Sequence, residues 1–92
     1  MERNLYEVID AMLKVIPVHQ GQDSLIAALK SRQKSALYAA PEMQPMWWTL
    51  TYETLSQYVF GDVDDYNDWV QYLKNSNQYW KEDLRKIWVG EQ

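Results

Sequence analysis

Apolar residues return at intervals of three and four along most of this chain, and three prolines mark where that rhythm must stop. Leu5, Ile9, Met12 and Ile16 share one helical face, so the spacing predicts a first helix over 3–16. Pro17 ends it, because proline disfavours helical geometry in the residue before it and offers no backbone donor. A second helix begins near Asp23, whose carboxylate suits the free amides of a first turn. It carries Leu25, Ile26, Leu29 and Leu37 and ends before Pro41. Its middle turn holds Lys30, Ser31, Arg32 and Lys34 and should face solvent or fray. Pro41 and Pro45 bracket a connection.

The stretch 46–60 crowds Trp47, Trp48, Leu50, Tyr52, Leu55, Tyr58, Val59 and Phe60 on every side, the mark of a central element. Thr49, Thr51 and Thr54 would also suit a strand, but no second strand is available to pair with it. A helix with the stripe Trp48, Tyr52, Leu55 and Val59, ended by Gly61, is the expectation. Beyond it, Tyr66, Val70, Leu73, Asn77, Trp80, Leu84 and Ile87 alternate by four and three. That unbroken heptad phase favours one long helix over 65–88, with Asn77 as a polar residue in an apolar seam, against the alternative that Asn75, Ser76 and Asn77, indifferent helix formers, make a turn with a new cap. Asp64 or Asp65 would cap it. The fold expected is all-α: a single domain over 1–92, a compact bundle of four or five helices with a long C-terminal helix.

A chain of 92 residues can enclose one core, and with no cysteine that core rests on packing alone, as suits a reducing, cytoplasmic setting. Five Trp, seven Tyr and one Phe supply more aromatic area than so small a core can hide, since Trp and Tyr each carry a polar edge. Some must reach the surface, where such rings form the centres of binding sites. Glu7, Asp10 and Lys14 interrupt the N-terminal apolar stretch before any signal-peptide core forms.

Chemistry finds few supports. The one histidine, His19, has no cysteine or second histidine with which to hold zinc, and a triad of His19, Asp23 and Ser24 would use sequence neighbours that seldom reach the required geometry. The acidic run Asp62, Asp64, Asp65 resembles the start of a calcium loop but has Asn67 where the sharp turn needs glycine and Leu73 where the bidentate ligand belongs. No glycine-rich phosphate loop exists. The expectation is a protein without enzymatic activity, metal or cofactor.

Two binding readings compete. A formal charge of -4 argues against a duplex-binding surface, although Lys30, Arg32 and Lys34, or Lys81, Arg85 and Lys86, could follow phosphates as a small helical nucleic-acid-binding regulator. Glu82 precedes Lys86 by one turn, so local pairing accounts for part of the second cluster. The favoured reading is a protein-binding module with anchors at Trp47, Trp48, Tyr66 and Trp69 and an acidic rim at Asp62, Asp64, Asp65 and Asp68, facing a larger protein with a basic surface. That rim could imitate nucleic-acid phosphates, although a charge run is ordinarily a solvated face. A homodimer through the 66–87 seam is a further reading, with the chain as a structural module. In size, acidity, aromatic content and lack of catalytic groups the chain resembles the small inhibitors that phages use against host defences and the helical immunity proteins that block toxins. The resemblance is one of type, with no matching motif.

Overall fold

The computed structural model describes residues 3–61 and 65–90, and among them five helices and no strand form a compact all-α fold. Helix α1 (Leu5–Val15) begins with the Asn4 side chain accepting the Glu7 amide at 3.2 Å. The expected stripe of Leu5, Ile9, Met12 and Ile16 is buried, and Val8 joins it. Helix α2 (Asp23–Tyr38) follows. Asp23 is its first helical residue; Gln22 holds the cap position, and no side chain caps that end, so the capping role expected of Asp23 is not what the structure has. Leu25, Leu29 and Ala36 form its buried face. Leu37, expected on the stripe, sits in the last turn of the helix and is 55% exposed. Lys30 and Lys34 face solvent within unbroken helix.

A short 3-10 turn (Pro41–Met43) leads into α3 (Gln44–Leu55). The Gln44 side-chain Nε2 donates to the carbonyls of Ala36 and Ala39, closing the open end of α2 from the start of α3. The threonines that could have argued for a strand are accommodated by back-bonding: Thr49, Thr51 and Thr54 hydroxyls donate to the carbonyls of Pro45, Trp47 and Leu50, four residues earlier. Thr51 and Thr54 are thereby buried without an unpaired hydroxyl. The helix then widens into a π-helical turn (Ser56–Phe60), closed by the Gly61 amide on the Ser56 carbonyl at 2.9 Å.

The long helix expected over 65–88 is two helices. Helix α4 (Tyr66–Asn75) stops at Ser76, Asn77 adopts a left-handed φ of 59°, and α5 (Trp80–Val89) starts afresh. Asparagine tolerates that conformation because its short polar side chain bonds locally, and the Gln78 amide donates to the Leu73 carbonyl across the turn at 2.8 Å. Asn77 is therefore a turn residue, exposed, and not a polar member of a seam. Asp65 does cap α4, accepting the Asp68 amide at 3.1 Å. Asp62 and Asp64 lie outside the described residues.

Helix α1 packs between α2 and α5, α2 leans on α3, and α4 rests mainly on α5. The main core gathers Leu5, Ile9, Met12, Leu25, Leu29, Leu55, Val59 and Leu84, roofed by half-buried Trp47, Trp48, Trp80 and Trp88. Leu73 is buried within the chain beneath α4 but outside that cluster. No described helix is long and apolar enough to cross a membrane.

Candidate aromatic interface

The rings are sorted by type. All seven tyrosines are more than a third exposed, from Tyr6 at 37% to Tyr38 at 78%, while all five tryptophans are half-buried. A tryptophan has the larger apolar body and sinks it between helices, whereas the phenol of tyrosine keeps its hydroxyl in water.

Six rings touch in series across four elements. Trp48 of α3 meets Trp88 of α5 at 5.3 Å between centroids, and Trp88 meets Tyr52 at 6.3 Å. Tyr52 meets Phe60 of the π-helical turn at 6.4 Å, Phe60 meets Trp69 of α4 at 6.2 Å, and Trp69 meets Tyr66 at 6.0 Å. Guanidinium groups close both ends of the series, Arg3 over Trp48 at 5.6 Å and Arg85 over Tyr66 at 4.5 Å. The π-helical turn contributes to this alignment. A turn closed by an i to i+5 bond holds more residues than an α-turn, so Phe60 returns closer to the line of Tyr52 and Ser56 than regular helix would allow.

Tyr52, Ser56, Phe60, Gly61, Trp69, Arg85, Trp88 and Val89 enclose an open cleft of about 290 Å³ at the centre of the series. A second, larger hollow of about 880 Å³ lies beside Arg3, Pro41, Pro45 and Trp48.

Of the residues singled out from sequence, Trp48, Tyr66 and Trp69 belong to the series. Trp47 does not; it packs against the core. Asp65 serves as a cap, and Asp68 is exposed in the first turn of α4 beside Trp69. Sequence reasoning missed Tyr52, Phe60, Trp88 and Ser56 as site residues, and placed Arg85 only in the alternative phosphate-following cluster. Tyr52 lies one turn beyond Trp48 on the same stripe and Trp88 one turn beyond Leu84, so helical spacing held a signal for both.

Elsewhere, Glu82 pairs with Lys86 at 3.1 Å and raises its pKa, while burial lowers that of Lys81. Neither lysine lines the cleft. The arrangement defines an all-α domain bearing an aromatic face. No family model matches the chain, and neither does any curated protein or solved structure.

Proposed function

We propose that this domain is a non-enzymatic protein-binding module that docks on a larger protein through its aromatic face, as an inhibitor or regulator of that partner. The observation that carries the reading is the six-ring series, whose members Tyr52 and Tyr66 stand 51% and 40% exposed while contacting half-buried neighbours. Rings fixed by other rings lose little side-chain entropy when a partner covers them, so their area converts efficiently into affinity. The formal charge of -4, with Asp65 and Asp68 exposed beside Trp69, favours a partner with a basic rim.

Burial of the seam residues Leu73 and Leu84 within the chain favours this reading over a homodimer through 66–87. The test is affinity capture from nuclease-treated lysate of the source or target cell, comparing the native chain with a Tyr52→Ala/Tyr66→Ala double variant of unchanged helicity. A stoichiometric protein partner held by the first and lost by the second supports the reading. Equal retention by both removes it, and capture that requires intact nucleic acid transfers the function to Lys30, Lys34 and their neighbours.

A further inference from the structure

We infer that α4 opens and melts as a unit while the rest of the fold stays closed, so that the aromatic face exists in two forms, one with all six rings and one without Tyr66 and Trp69. The opening rests on the packing alone; its effect on the face rests on the protein-binding reading above.

Three observations single out α4. The first is burial. Helix α1, of nearly the same length, encloses Leu5, Val8, Ile9 and Met12, whereas α4 encloses Leu73 alone. Leu73 lies outside the main core, and no other described residue of α4 belongs to that core or to the half-buried side chains packed against it. Trp69 meets those side chains through its edge-on contact with Phe60, and Tyr66 stands exposed with the Arg85 guanidinium over its ring.

The second is hydrogen bonding. Among the described residues, side-chain bonds tie the other helices together: Gln33 to the Tyr6 carbonyl joins α2 to α1, Gln44 joins α3 to α2, and Arg3 reaches the Ile87 carbonyl of α5. The bonds described for α4 all stay between Asp65 and Gln78, from the Asp65 cap to the Gln78 amide on the Leu73 carbonyl.

The third is the backbone on either side. Gly61 and Asn77 both hold positive φ, at 58° and 59°, so regular helix is interrupted before and after α4. Unwinding of α4 therefore stops short of α5, whose Leu84 stays in the main core. A helix of 10 residues does not persist in water without packing, so α4 melts once Leu73 and Trp69 leave their contacts. Elements with few buried apolar contacts open at free energies well below that of global unfolding. Trp48, Trp88, Tyr52 and Phe60 remain joined when α4 leaves. A partner that covers all six rings holds α4 closed, and its affinity scales with the closed fraction.

The experiment is native-state hydrogen exchange followed by NMR, on the native chain and on Ile9→Val, and needs no partner. Relative to their intrinsic rates, the amides of Val70, Leu73 and Lys74 are expected to exchange about a hundredfold faster than those of Met12 and Leu29. Their dependence on added urea should also be shallower, since opening one helix exposes less surface than unfolding the chain. Ile9→Val weakens the core that α4 does not share, so it should speed Met12 and Leu29 about three- to tenfold and leave Val70, Leu73 and Lys74 unchanged. Equal protection of α1 and α4, or acceleration of both by Ile9→Val, overturns the proposal and leaves the protein-binding reading standing. A captured partner should slow exchange in α4; one under which α4 exchanges as fast as in the free chain overturns the two-form face.

Discussion

Gly61 holds φ 58° and ψ -150°, a region that side-chain-bearing residues essentially never occupy. A Cβ built there would meet nothing within 4 Å, so the constraint is in the backbone and not in crowding. Gly61→Ala should destabilise the fold by about 1–3 kcal/mol in urea unfolding, the usual magnitude for a forced backbone conformation. The sequence placed this glycine at a helix end correctly, because an apolar run followed by Gly is a strong stop signal. Which tryptophan faces outward was not legible at this scale. Trp47 and Trp48 are adjacent and half-buried alike, yet only Trp48 reaches Trp88, and that difference is decided by where α5 lies.

Among the elements, α4 depends on its ends. Asp65→Ala removes the cap on the Asp68 amide and should cost about 1 kcal/mol, read as a lower unfolding midpoint. The turn after α4 makes a sharper test. Asn77→Gly should leave stability within a few tenths of a kcal/mol of the native chain, whereas Asn77→Val should lower it by about 1–2 kcal/mol, because a β-branched residue resists positive φ. Helices α1 to α3 were legible in outline since prolines and glycine fall near their ends, but Pro45, expected in the connection, lies in the first turn of α3, and the last turn of the expected helix is π-helical. The division between α4 and α5 was legible only as the weaker alternative, carried by Asn75, Ser76 and Asn77: each helix packs an apolar face inward, and the intervening turn has a length that joins the two patterns in phase. Periodicity reports which residues are covered, not whether the backbone between them stays helical. The same limit hid the cleft, whose lining comes from three separate stretches of sequence, 52–61, Trp69 and 85–89.

At the scale of the molecule, Arg3 fastens the start of the chain to α5 by donating to the Ile87 carbonyl while lying over Trp48. A charge-assisted bond to the open end of a helix, together with a cation–π contact, makes Arg3→Ala worth about 1–2 kcal/mol. Chemical denaturation followed by tryptophan fluorescence would read the loss, with a shift in the native emission of Trp48 as its companion. The closure it secures also sets an order of events. Helix α1 finds its neighbours in α2 and α5, and α5 ends at Val89. During synthesis the first helix therefore emerges long before its second neighbour exists, and Leu5, Ile9 and Met12 stay incompletely covered until residues 80–89 have left the ribosome. Completion of this core, and with it the ring series from Trp48 to Trp69, waits on emergence of α5, so a chain stalled or truncated before residue 80 would present an open core and no assembled face.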